Sequence, residues 1–222
     1  MKRILFIAFL LSGSTLLMAQ TFIPKAGVSL AKVSISDDIK NEFYSDPSIS
    51  YKTGFIVGLA VQFPISDMIS IQPELLYHQK GYKLSDEFDG LNYNETVTLN
   101  YLELPIMVNF AFGNFYANAG PFLAYGLGGK YKLEYSSQGD TETYEGDVKF
   151  GDEPDDPGDD WYVDVPLEYG LAIGAGYKLF DKILIDARYG LGLSSIYTDE
   201  DNFEWTTKNS TIQITIAYPI VK

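Results

Sequence analysis

The sequence predicts an all-β protein, an eight-stranded antiparallel up-and-down transmembrane β-barrel. Three observations predict it. First, residues 163–179 alternate almost without error: Val163, Val165, Leu167, Tyr169, Leu171, Ile173, Ala175, Tyr177 and Leu179 fall on one parity, and Asp164, Pro166, Glu168, Gly170, Ala172, Gly174, Gly176 and Lys178 on the other. Side chains of a strand point alternately to its two faces, so this is one strand with a bulky apolar face and a small or polar one. Second, the pattern recurs in stretches longer than the five or six residues usual in soluble domains. Third, short and long connections alternate, as in barrels with tight turns on one side of the membrane and extended loops on the other.

Taken in order, the first strand is expected at about Phe22 to Ser36 and the second at Tyr51 to Pro64. In the second, Phe55, Val57, Leu59, Val61 and Phe63 oppose Gly54, Ile56, Gly58, Ala60 and Gln62. The third covers Ile69 to Leu84, the fourth Thr96 to Phe112, and the fifth Phe115 to Tyr135. The sixth is the 163–179 segment. The seventh, Ile183 to Tyr197, sets Ile185, Ala187, Tyr189 and Leu191 against Asp186, Arg188, Gly190 and Gly192. The eighth, Thr207 to Val221, sets Ile212, Ile214 and Ile216 against Thr211, Gln213 and Thr215. Short connections fall at residues 64–68, 113–114 and 181–182, and long ones at about 37–50, 85–95, 136–161 and 198–206. An even strand number then puts both termini in the periplasm and the long loops outside the cell.

Side-chain volume decides which parity faces lipid. An eight-stranded interior barely holds the side chains that fill it. The parity rich in Gly, Ala and Ser therefore belongs inside, and Leu, Ile, Phe and Tyr outside. Electrostatics agrees, because the reverse assignment would turn Lys178, Asp186 and Arg188 toward lipid, where basic residues cost roughly 2–4 kcal/mol each near the midplane. A secreted soluble barrel with the apolar parity inward is the competing architecture.

Residues 1–19 read as a signal peptide, with basic Lys2 and Arg3, an apolar run from Ile4 to Leu11, and Leu17-Met18-Ala19 before the expected cut. Residues 20–222 are then the barrel domain. Cleavage removes two basic residues and takes the formal charge from −14 to −16. That acidity excludes nucleic acid as a partner. With no cysteine there is no disulfide, thiolate metal site or thiol nucleophile. Mean hydropathy is near neutral and no second long apolar run occurs, which excludes a helical membrane protein. The 17 Tyr and 14 Phe suit aromatic girdles at the two membrane interfaces.

Several motifs carry a resemblance. Phe63-Pro64-Ile65-Ser66 is followed by Gln72-Pro73-Glu74-Leu75-Leu76-Tyr77 and Gln79-Lys80-Gly81. Then come Tyr101-Leu102-Glu103-Leu104-Pro105, Gly120-Pro121-Phe122, and Ala187-Arg188-Tyr189-Gly190-Leu191-Gly192. In this order they resemble the PorT-like family of outer-membrane β-barrel proteins, also labelled porin family, over essentially the whole mature chain. The resemblance implies an OmpA/OmpX-like barrel without catalytic residues or cofactors. Family namesakes serve a protein-secretion apparatus. The chain departs from the usual aromatic C-terminus, ending Tyr218-Pro219-Ile220-Val221-Lys222.

Interior parity collects ionisable residues: Lys25, Glu74, His78, Lys80, Glu103, Glu168, Lys178, Asp186 and Arg188. Desolvated charges need opposite partners, so these are expected to form a structural network of salt bridges filling the lumen. Arg188 offers two donors to one carboxylate, with Glu74, Glu103 or Asp186 as acceptors. Pro73, Pro105 and Pro121 lack ladder donors and are expected to mark bulges or kinks. His78, the single histidine, points inward, away from where a lipid-modifying enzyme would need it. Ser136 to Asp160 is expected to be a solvated acidic loop. Within it Asp152, Glu153, Asp155, Asp156, Asp159 and Asp160 are candidates for a cation or basic-partner site, although the spacing is not that of an EF-hand.

The expected function is a non-enzymatic outer-membrane protein with a plugged polar lumen. It would act through its external loops or as an accessory of an envelope assembly. Its partners are outer-membrane lipid, the barrel-assembly machinery during biogenesis, and an envelope protein complex. No cofactor or resident metal is expected. Small-solute transport is the alternative.

Overall fold

The computed structural model describes residues 21–35, 48–88, 90–137, 140–151, 158–180, 182–197 and 206–221. Eleven strands are found among them: β1 Thr21–Ile35, β2 Ser48–Pro64, β3 Ile69–Phe88, β4 Leu91–Phe112, β5 Phe115–Ser137, β6 Asp140–Phe150, β7 Trp161–Val163, β8 Leu167–Leu179, β9 Ile183–Gly192, β10 Thr207–Ala217 and β11 Ile220–Val221. The signal-peptide reading falls outside the described residues.

Antiparallel pairings run β1–β2, β2–β3, β3–β4, β4–β5, β5–β8, β8–β9, β9–β10 and β10–β1, so the path of neighbours returns to its start. The remaining three strands are additions to it. β11 extends the end of β10 and pairs the start of β1, because Pro219 interrupts the ladder. β6 and β7 are a correction: they occupy the stretch expected to be an acidic loop. Cross-strand Lys132–Glu145 and Lys130–Asp147 pairs and the even-numbered Tyr144 and Val148 let β6 zip onto β5.

Other boundaries also moved. The 163–179 segment is not one strand: Val163 ends β7, which pairs in parallel with β6, and the ladder of β8 starts only after Pro166. The connection expected at 85–95 is a hairpin, with β3 and β4 paired up to Phe88–Leu91. Register does not shift at Pro73, Pro105 or Pro121, which leave gaps in the ladder without inserting a residue. The irregularities fall instead between Tyr51 and Ile56 and between Asn100 and Tyr101. Facing the second, Gly128 has φ 130°, a conformation that L side chains rarely adopt.

The two faces have opposite character along most of each strand. On β8, Leu167, Tyr169, Leu171 and Ile173 are 50–63% exposed, while Glu168 is 1% exposed. Toward the end bearing the long connections the sidedness reverses. The outer face of β4 changes from Leu102, Leu104, Ile106, Phe110 and Phe112 to Asn100, Thr98, Thr96 and Asn94. Over the same rows the inner face becomes apolar, with Val97, Leu99 and Tyr101 fully buried beside Val33, Phe122, Val148, Val163 and Ile196. A smaller inner cluster of Ile23, Ala60 and Ala217, with Leu184 against it, lies at the opposite, short-turn end.

Candidate functional site: the buried charge network

Between these two apolar clusters lie the ionisable residues of the interior parity. Glu74 on β3 is the centre of one group. Lys25 Nζ donates to its Oε2 at 3.1 Å, and the Arg188 fork donates to Oε1 at 2.9 Å and to Oε2 at 3.0 Å. Gln72 adds a bond to Oε1 at 2.6 Å. Asp186 faces Arg188 Nε at 2.5 Å and accepts from Asn118 at 2.7 Å. Two cations and two carboxylates balance.

A second group is built on Lys80. Its ammonium lies 2.9 Å from Glu103 and 3.1 Å from Glu168, and stands 5.0 and 4.7 Å from the ring centres of Tyr101 and Phe122. Asn209 donates to the other oxygen of Glu168 at 2.9 Å. His78 joins this group through Nδ1, 2.9 Å from Glu103 Oε2, while Nε2 lies 2.8 Å from Ser29 Oγ. Each ion of the two groups therefore has an opposite charge, and Glu74, Glu168 and Asp186 accept further amide hydrogen bonds, the condition under which desolvated ions are tolerated.

Eight of the nine ionisable residues that the sequence places inside thus fall into two groups. Arg188 chooses Glu74 and Asp186; Glu103 goes to Lys80 and His78. Lys178 stands apart, at the other end of β8 from Glu168, where its backbone N–H donates to Asn114 O at 2.8 Å. Ser29, Gln72, Asn118 and Asn209 complete the network and carry no charge to flag them. Their signal was register: Ser29, for instance, lies opposite Gly54 on the inner face. Of the acidic-loop candidates, Asp152, Glu153, Asp155 and Asp156 lie outside the described residues. Asp160 pairs with Lys149, and the backbone carbonyl of Asp159 accepts from Tyr131 at 2.6 Å.

Ser29, His78 and Glu103 stand in the order of a nucleophile, base and carboxylate. Ser29 and His78 are 0% exposed and Glu103 is 2% exposed, so no substrate carbonyl reaches the hydroxyl. Crowding explains this. A Cβ on Gly174 would meet Arg188 Cγ at 2.6 Å, and one on Gly170 or Gly126 would meet the ring of Phe122 or Phe150 at 2.5 Å. Inner side chains lean over the bare backbone of the neighbouring strand, where Gly174 pairs with Arg188 and Gly170 with Phe122.

Solved structures similar to the chain include Ail, the attachment invasion locus protein of Yersinia pestis, at 13% identity and TM-score 0.41, covering 91% of this chain and 99% of that one. Another is Neisserial surface protein A (NspA), at 13% identity and TM-score 0.45, covering 89% and 96%. A third is the outer membrane protein OprG of Pseudomonas aeruginosa, at 10% identity and TM-score 0.35, covering 92% and 98%. No curated protein matches the sequence. The family described as outer membrane protein beta-barrel domain matches residues 18–198. An apolar outer face, a charged inner face and this match together place the chain: it belongs to the outer membrane protein beta-barrel domain family, a transmembrane, all-β family of the outer membrane.

Proposed function

We propose that the closed path of eight pairings is an up-and-down barrel of the OmpA/OmpX kind, with termini and short turns in the periplasm and long connections outside the cell. The barrel is filled, conducts no solute, and acts as an interaction protein through its external end. One observation carries this reading: the charge network is enclosed between two apolar clusters. An ion moving along the lumen would have to leave the carboxylates around Lys80 and cross the mostly apolar layer of Tyr101, Leu99, Val97 and Val148, where few polar groups replace its hydration. Eight strands leave little interior beyond what side chains occupy. Small-solute transport is the weaker reading for the same reason.

The PorT-like motifs support a place beside a secretion-type envelope assembly. Lipid and the barrel-assembly machinery are the remaining proposed partners. No catalytic step is proposed, because the Ser29–His78–Glu103 alignment lies inside the wall. Lipid hydrolysis that disappears in a His78→Ala variant would reverse that.

Purified protein in a planar bilayer tests the filled barrel: a flat current trace is expected, and stable single-channel conductance would overturn it. In-cell crosslinking from exposed lysines such as Lys130 tests the accessory role. Reproducible links to one envelope complex are expected, and links only to abundant bystanders would favour an autonomous barrel.

A further inference from the structure

The end of the sheet beyond the apolar outer face bears a groove that the charge network does not use. Tyr93 on β4 lies opposite Tyr135 on β5, which lies opposite Glu142 on β6; one row on, Glu95, Leu133 and Tyr144 align in the same way. Opposed residues share a face, and here it is the inner one, continuous with buried Val97 through Tyr131. Tyr93 and Tyr135 meet at a 54° tilt with ring centres 5.2 Å apart, and Tyr135 meets Tyr144 edge-on at 6.0 Å. The resulting cavity of about 460 Å³ is lined by Tyr131, Leu133, Tyr135, Glu142 and Tyr144, and no cation lines it.

The two faces of this sheet are sorted by charge. Lys130 and Lys132 lie on the outer face, paired with Asp147, Glu134 and Glu145. On the groove face the carboxylates of the described residues meet phenols: Tyr93 donates to Glu95 at 2.6 Å and Tyr144 to Glu142 at 3.3 Å. Glu95 is 6% exposed, and its Oε1 makes no formed hydrogen bond among the described residues. Ring faces carry negative potential that attracts guanidinium and ammonium groups. Carboxylates beside the rings strengthen that attraction and supply bidentate acceptors for arginine.

We propose that this groove docks an arginine- or lysine-bearing peptide segment of a partner protein, with its basic side chains over Tyr135 and Tyr144 and against Glu142. The groove is an open row across three strands and does not wrap a lone cation on all sides. Side chains presented in sequence along a peptide fit that shape, and a free small cation does not. This assignment rests on the interaction reading above and names the chemistry of the partner.

The test is fluorescence polarisation of a labelled octa-arginine peptide against the full barrel in phosphatidylcholine nanodiscs. Heat-modified gel mobility reports folding of each variant. Glu142→Gln and Tyr144→Ala are each expected to weaken binding about tenfold, and Tyr144→Phe to leave it nearly unchanged because the ring remains. Glu134→Gln with Asp147→Asn, which removes two charges from the opposite face, is expected to cost less than threefold. Equal losses from both faces, or no binding by the parent protein, would overturn the groove. A flat bilayer trace alongside failed peptide binding sinks the groove alone, whereas conductance sinks the filled barrel independently.

Discussion

Glu74 receives the Lys25 ammonium, both arms of the Arg188 fork and the Gln72 amide, so four donors converge on one carboxylate. Replacing it with alanine strands two cations in the lumen. Glu74→Ala is expected to cost about 3–5 kcal/mol, read as a lower urea midpoint of protein refolded into vesicles. A Glu74→Ala/Arg188→Ala double variant should cost less than the two singles added, since the second change removes a charge that the first orphans. Parity alone was enough to place these residues inside. It did not choose Arg188's acceptors, because that depends on how β3, β4 and β9 line up across the lumen. Nor did it find Asn118 or Asn209, which look like any polar residue until the register is known.

Among the elements, the strands whose outer face meets lipid were legible from alternation, and β6 was not. Its sequence, Asp140-Thr-Glu-Thr-Tyr-Glu-Gly-Asp-Val-Lys-Phe150, hides a period of two under carboxylates because its outer face meets water. Only Tyr144, Val148 and Phe150 mark the inner face, and Val148 is 2% exposed in the apolar cluster. Val148→Asp would place an unpaired carboxylate there and is expected to destabilise this end by about 3 kcal/mol or more, seen as lost near-ultraviolet circular dichroism. The same cluster has an alkaline limit. Burial pushes the Tyr197 phenol up from 10.0 to about 12. Its stabilising contribution is whole below about pH 10, where both folded and unfolded chains keep the proton. Between about pH 10 and 12 the unfolded chain ionises first, so about 2–3 kcal/mol is lost as pH rises. Tyrosinate absorbance of a Tyr197→Phe variant, missing one component near pH 12, checks this.

For the whole molecule, chain order and turn lengths were enough to anticipate antiparallel neighbours, but not the height of the walls. The β3–β4 and β5–β6 hairpins run past the lipid-facing rows, and the register shift at Asn100 lies where the outer face turns polar. Propensity says nothing about that height, since the same strand continues with its two faces exchanged. The apolar inner layer also predicts what would open the barrel. A Tyr101→Ala/Phe122→Ala variant removes two rings from beside Lys80, and is expected to pass small-ion current in a bilayer where the parent passes none.

The exchange of faces also sets a thickness. On β4 the apolar outer row runs from Leu102 to Phe112 and stops at Asn100. Ten residue steps at ~3.3 Å and a tilt of ~40° span about 25 Å along the membrane normal, close to the band of outer-membrane barrels. A longer apolar row can be hidden by tilting, but a stiff closed wall with polar residues at both rims cannot stretch to meet a thicker bilayer. Lipid must then thin around it. The protein therefore sorts toward the thinner membrane, and in a thicker one it would carry a collar of compressed lipid through which neighbouring barrels would attract one another without touching.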